Sequence, residues 1–177
     1  MKRAHTLLLV FAAAGLVARG LPARTPDSTA PDLPVALSAH SIGEIVGSAN
    51  PTLSVAERRR IGQAVLRSSD EHGLDPQLVT AIILVESGAR PWALSPKGAV
   101  GLMQVMPHMA GELLLGGNLT TIESNVELGC WILADNIRRL GEDDGISAYF
   151  WGSDIRGVAY LDRVQAARAT VRRLAES

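Results

Sequence analysis

Apolar and polar positions divide this chain into three stretches of different character. Residues 7–18 form an uninterrupted apolar run behind Lys2 and Arg3. Residues 21–50 are rich in Pro, Ser, Thr and Ala, with Thr-Pro-Asp and Ala-Pro-Asp units. That composition predicts a flexible linker, with weak order only around residues 42–46. From residue 51 the pattern turns helical. Ser54 with Glu57 three residues later makes a capping box, and Gly73 is a stop, so a first helix is expected to end at His72. Asp75 can cap a second helix, and Pro76 suits its first turn. Residues 77–85 carry no charged side chain, which predicts a central helix buried on most sides with Glu86 at its end.

Pro91, Pro96 and Gly98 make residues 90–98 a loop, in which Trp92 is expected to be a lid packed over a hydrophobic edge. Gly98 and Gly101 would let backbone approach a ligand closely. Further helices are expected over residues 107–115, 124–140, 146–151 and 158–175, with a Gly-Gly break after the first of them. The stripe Val126, Cys130, Leu133, Ile137, Leu140 has helical spacing and predicts a buried face that includes the single cysteine. No pair of convincing strands is present. The expected fold is all-α, one domain over residues 51–177 arranged around the helix that ends in Glu86.

Composition narrows the function. An apolar content of 47% allows a real core, and aromatics at 4% leave aliphatic packing to dominate it. A formal net charge of −1 gives no case for a nucleic-acid partner. The basic start, the apolar run and Ala18-Arg19-Gly20 predict a secretory signal over residues 1–20, with Ala23 as an alternative cleavage site. The run is short for a membrane span, which needs about 20 residues, and no cysteine follows it to carry a lipid. Cleavage would remove Lys2, Arg3 and Arg19 and no acid, taking the charge from −1 to −4. His5, His40, His72 and His108 are scattered without metal-ligand spacing. Arg58, Arg59 and Arg60 are expected on a solvated face. Neither a phosphate-binding glycine loop nor a Ser or Cys nucleophile motif is present.

Glu86 is the chemically pointed residue. At helical spacing it shares a face with Val79, Ile82 and Ile83. A carboxylate against aliphatic neighbours is costly to ionise, so its pKa should rise toward the range a general acid needs. Glu86-Ser87-Gly88 is followed by a loop holding Ser95-Pro96-Lys97-Gly98, then by Gly101-Leu102-Met103-Gln104-Val105-Met106-Pro107. Two motifs in this order at this spacing resemble the lytic transglycosylases, lysozyme-fold enzymes that cut bacterial peptidoglycan.

The resemblance extends over residues 53–164. It implies a lysozyme-like domain with Glu86 as the single catalytic acid/base and Ser87 beside it. Met103 and Gln104 would line the saccharide groove, and Tyr149 of Ala148-Tyr149 would reach toward Glu86. It makes Asn125 and Gly129 a structural Asn-x-x-x-Gly on the helix after the groove. Three positions depart from the pattern. Phe150 replaces the Asn of Ala-Tyr-Asn and is expected to pack inward. Met109 stands in place of a Thr. Arg156 stands where many members have a Glu, if Tyr160 is their late Tyr.

Glycosidic cleavage usually takes two carboxylates, and here one acid stands in a motif; Asp143 and Asp154 lie near Tyr149 but belong to none. A lone acid suits a path in which the substrate helps. By the resemblance, the C6 hydroxyl of the same N-acetylmuramic acid closes a 1,6-anhydro ring and no water is consumed. A monomer acting on glycan strands without a cofactor, in the periplasm or cell envelope, follows from the same resemblance and the signal. Two other readings stand beside it, a lysozyme-type muramidase that uses water and a non-catalytic wall-binding module. Intact-mass analysis of the exported protein should find its N-terminus at residues 21–24; a retained Met1 would replace the cleaved signal with an anchor.

Overall fold

The computed structural model describes residues 36–109 and 118–177. The expected signal, and the linker up to residue 35, lie outside the described residues. Six helices occur among those described: α1 (Ala39–Ala49), α2 (Val55–His72), α3 (Pro76–Ser87), α4 (Ile122–Leu140), α5 (Glu142–Trp151) and α6 (Ala159–Ala175). Residues 107–109 are helical, and residues 110–115 of the helix expected there lie outside the described residues. Among the described residues, only isolated bridges, Leu94 with Val100 and Val100 with Val105, accompany the helices. The domain is all-α.

Local chemistry sets the helix ends where the sequence places them. Ser54 accepts from the Glu57 amide while the Glu57 side chain accepts from the Ser54 amide, and Gly73 closes α2 in the left-handed region at φ 66°. The Asp75 side chain accepts from the Gln77 amide at 2.9 Å and Pro76 opens α3. The second oxygen of Asp75 takes Arg168 of α6 at 2.6 Å, and the same guanidinium reaches Glu142 of α5 at 2.7 Å. One half-buried arginine therefore ties the starts of α3 and α5 to the last helix.

Helix α3 is the centre. Leu78, Val79, Thr80, Ala81, Ile82 and Ile83 are each no more than 1% exposed. Six consecutive buried residues exceed one helical face, so α3 is enclosed around its circumference. Thr80 survives there because its hydroxyl donates to the Pro76 carbonyl at 2.7 Å. Helix α6 packs along α3, with smaller contributions from α1 and α2, while α4 joins α2 to α5. Cys130 is buried as expected, with Val126 and Leu133, but Leu140 at the end of that stripe is 43% exposed. Arg60 is not merely solvated, since it makes a two-pronged ion pair with Glu123 of α4 at 2.7 and 2.8 Å.

The linker expected up to residue 50 ends sooner. Eleven of its residues, 39–49, form helix α1, capped by a Ser38–Ser41 box, with Ile42, Ile45 and Val46 in the core. Pro, Ser and Ala dominate the window, but Ile42, Ile45 and Val46 fall at helical spacing and find an apolar partner in α2. The contact is close because Gly62 lacks a side chain. A Cβ there would meet the Ala39 carbonyl oxygen at 2.0 Å. Asn50, at the end of α1, donates from its amide to the Ala89 carbonyl at 3.0 Å, which braces the turn just after α3.

Gly62→Ala tests this packing. Helix propensity alone would reward the change by about 1 kcal/mol. Because backbone and not a movable side chain blocks the added methyl, a loss of about 1–3 kcal/mol is expected instead. Urea denaturation reads the sign; a stabilised variant would mean that α1 does not pack on α2 in this way.

Candidate active site

Glu86 sits in the last turn of α3, and the chain must turn sharply behind it. Gly88 at φ 59° and Ala89 at φ 59° are successive left-handed residues. Alanine in that region costs on the order of 1–2 kcal/mol. The surroundings hold it there, since Ala89 is fully buried and its carbonyl accepts from Asn50.

Glu86 itself is half-buried. Burial raises its pKa above the ordinary carboxylate value, while the hydrogen bond from Tyr160 and the positive charge of Arg163 oppose the rise without cancelling it. The Tyr160 hydroxyl donates to Glu86 Oε1 at 2.6 Å. That phenol is buried, and desolvation with the neighbouring carboxylate pushes its own pKa upward, so it stays a donor. This is the arrangement of a general acid, a carboxyl of raised pKa oriented by a fixed partner.

Tyr149 was expected to face Glu86. Its hydroxyl instead donates to the Met103 carbonyl at 2.8 Å, although it lies near enough that the Glu86 charge adds to burial in raising its pKa. The residue touching Glu86 is Tyr160, which the sequence marks only as the late tyrosine of the resemblance. Its position on α6, the helix after the one that carries Tyr149, left no local signal.

The other expected contacts point inward. Ser87 is 1% exposed and its hydroxyl donates to the Ile83 carbonyl at 3.1 Å, finishing the helix. Met103 is fully buried. Its sulfur occupies the space over Gly129, where a Cβ would lie 2.5 Å from Sδ. Gln104 takes φ 50°, and its amide nitrogen donates to the carbonyls of Gly101 and Ala93 at 2.9 and 3.2 Å. Its side chain thus closes the loop. Asn125 holds the same loop to α4, its Oδ1 accepting from the Met103 amide at 2.8 Å and its Nδ2 donating to the Val100 and Leu119 carbonyls. Gly101, at φ 80°, brings backbone against the Asn125 side chain: a Cβ would lie 2.3 Å from Nδ2.

The aromatic residues also depart from expectation. Trp92 is 69% exposed and Phe150 49% exposed, so neither is a packed lid or an inward plug. Phe150 stacks on Tyr160, centroids 4.8 Å apart and planes at 15°, with Trp151 edge-on at 4.9 Å. The Phe150 ring therefore supports the tyrosine that holds Glu86. Asp143 is exposed, and Asp154 is an exposed partner of Arg156 at 2.6 Å, so neither offers a buried second acid. His72, expected to be isolated, lies beside Glu71 and Glu127 with potential ligand atoms within 4.8 Å of one another. His72 and Glu127 are already engaged with each other at 2.6 Å, and Ser68 donates to Glu127 at 2.7 Å. This cluster is a polar link between α2 and α4.

A family model described as the transglycosylase SLT domain matches residues 63–160, more than half of the 177-residue chain. Among similar proteins is the endo-type membrane-bound lytic murein transglycosylase A of Klebsiella pneumoniae, 59% identical over 40 residues, which is 23% of this chain and 20% of that protein. Membrane-bound lytic murein transglycosylase C of Edwardsiella ictaluri is 48% identical over 48 residues, 27% and 13% of the two chains. A transglycosylase of Enterobacteria phage PRD1 is 34% identical over 88 residues, 49% and 33%. The chain spans a third or less of the length of each of these relatives. The structure of an inactive mutant of the lytic transglycosylase Slt from Pseudomonas aeruginosa aligns with a TM-score of 0.46 and 22% identity, covering 64% of this chain and 22% of that one.

The raised pKa of Glu86 makes a pH-dependent stability. A carboxyl with a folded pKa above its unfolded value contributes most below the unfolded value, and that contribution is lost as pH rises through the folded one. Glu86→Gln has no such loss, so its stability relative to wild type should improve as pH rises from 4 to 8; parallel melting curves would contradict the assignment. Tyr160→Phe removes a donor to the carboxylate and should move the Glu86 titration, followed by NMR, further upward.

Proposed function

The chain belongs to the transglycosylase SLT domain family, and from that premise we propose that it is a peptidoglycan lytic transglycosylase with Glu86 as its sole acid/base. The observation that carries this reading is the half-buried carboxyl of raised pKa, held by Tyr160 at the open end of an otherwise enclosed helix. The substrate is the glycan strand of the bacterial wall, cut at the β-1,4 bond between N-acetylmuramic acid and N-acetylglucosamine.

The reaction balances with one acid. Protonated Glu86 gives its proton to the glycosidic oxygen as the C1–O bond breaks. The developing positive charge at C1 is met by the carbonyl oxygen of the sugar's own N-acetyl group. Glu86, now a carboxylate, takes the proton of the C6 hydroxyl of the same sugar as that oxygen bonds to C1. The products are a free 4-hydroxyl on the leaving sugar and a 1,6-anhydro ring, and Glu86 returns to its starting state. Joining nucleophile and electrophile in one sugar contributes a proximity advantage. Tyr160 stabilises the carboxylate between the two transfers through its 2.6 Å hydrogen bond.

Of the side chains expected to touch glycan, Ser87 and Met103 act by position. Ser87 completes the helix that presents Glu86, and Met103 anchors the loop. Gln104 fixes the loop backbone beside exposed Trp92 and Leu94. Tyr149 supports the loop from α5. Export to the periplasm or cell envelope, by the signal over residues 1–20, brings the protein to this substrate.

Purified wall digested by the wild type should release muropeptides ending in 1,6-anhydro-N-acetylmuramic acid, identified by mass spectrometry. Products heavier by one water would make the protein a muramidase, and no soluble product would make it a binding module. Glu86→Gln should reduce turnover by more than the ~10²–10⁴ of an ordinary acid–base group, because one residue makes both transfers. Digestion at the wild-type rate would remove Glu86 from the mechanism.

A further inference from the structure

Arg163 is the cation of α6 without a polar partner among the described residues. Arg168 holds Asp75 and Glu142, Arg172 reaches Gln77, and Arg173 donates to Thr170. Arg163 is solvent-exposed and makes none of the ion pairs found among the described residues. Its guanidinium is nevertheless in a defined place. It lies 5.5 Å from the centroid of Tyr160, three residues back on the same helix face, and 5.9 Å from the centroid of Phe150. Those two rings are stacked on each other, and Tyr160 is the residue bonded to Glu86.

The aromatic pair therefore carries a cation to the edge of the acid and leaves its N–H groups unspent. A guanidinium resting on a ring face keeps its planar fork of donors in its own plane, the geometry that takes a carboxylate with two parallel hydrogen bonds. The position also depends on the residue that departs from the family pattern. An Asn at position 150 would remove one of the two rings beneath the guanidinium. Peptidoglycan differs from a neutral polysaccharide in the carboxylates it carries beside each N-acetylmuramic acid. They occur on the peptide stem where the lactyl group is substituted, and on the lactyl group itself where the stem has been removed.

We propose that Arg163, held on Phe150 and Tyr160, is a specificity-determining residue that binds a carboxylate of the glycan strand next to the sugar presented to Glu86. The inference rests on the glycan reading above and names which chemical group of that substrate is selected. Phe150 serves as the platform, so its replacement of Asn exchanges one polar contact for the placement of a charge.

Binding measured by calorimetry in a Glu86→Gln background, where no turnover intervenes, tests this on three soluble strands. They are peptide-bearing strands, the same strands with their carboxylates converted to amides, and strands stripped of peptide by an amidase. Adding Arg163→Gln should weaken binding of an acid strand by about tenfold relative to the amidated one, the loss of one charge-assisted contact. A loss on peptide-bearing strands assigns the stem carboxylate, and a loss confined to stripped strands assigns the lactyl carboxylate. Equal losses on acid and amidated strands, or none on either, overturn the proposal. Phe150→Asn should reproduce part of the same selective loss, which a merely structural ring would not. If the wild type releases no muropeptide from wall, the activity falls, while these binding ratios still decide the role of Arg163.

Discussion

Enclosure of α3 is the constraint from which the rest of the structure follows. A helix buried around its whole circumference can carry no charge along its length, and residues 76–85 carry none. The first place a carboxylate can appear is the end, where the enclosing helices stop. Glu86 is thus half in and half out of the core, which raises its pKa while leaving the residue partly exposed. The same enclosure requires elements on all sides, and that requirement recruits α1 from a segment whose composition suggests a linker. It also leaves α6 as the neighbour able to reach the Glu86 end with Tyr160.

A second arrangement depends on the first. Once Glu86 is fixed, the loop over residues 98–105 must be held at a set height, and the chain does this from below. Asn125 of α4 spans the Met103 amide and the carbonyls of Val100 and Leu119, while Tyr149 of α5 takes the Met103 carbonyl. The side chains of Trp92, Leu94 and Phe150 are exposed in this region, and the loop backbone is tied to itself by hydrogen bonds from the Ala93, Ser95 and Gly101 amides to the Arg90, Ala99 and Ala93 carbonyls.

Helix ends were legible because caps are local: Ser54 with Glu57, Asp75 with Pro76 and Gly73 each act within a few residues of themselves. The position of Glu86 was legible because the uncharged run before it and the motif after it agree. Direction was not. A motif tells which residues gather at a site, not whether a side chain faces the solvent or the core, and Ser87 and Met103 both face the core. Tyr160 was hidden because its contact with Glu86 spans 74 residues. Phe150 misled for a related reason: an aromatic ring is apolar enough to be expected inside, yet here it is half exposed on another ring that happens to be the acid's support.

Met103 has every one of its groups spent. Its amide, its carbonyl and its sulfur meet Asn125, Tyr149 and the gap over Gly129 respectively. It is a keystone, a part whose shape is dictated by the pieces leaning on it. A shorter residue would leave a hollow above Gly129 and a branched one would displace α4, whether or not any ligand is bound. Intolerance of substitution at this position is therefore imposed by masonry, and a persistent Met103 across changes of ligand would report the integrity of the arch, not the identity of what it spans.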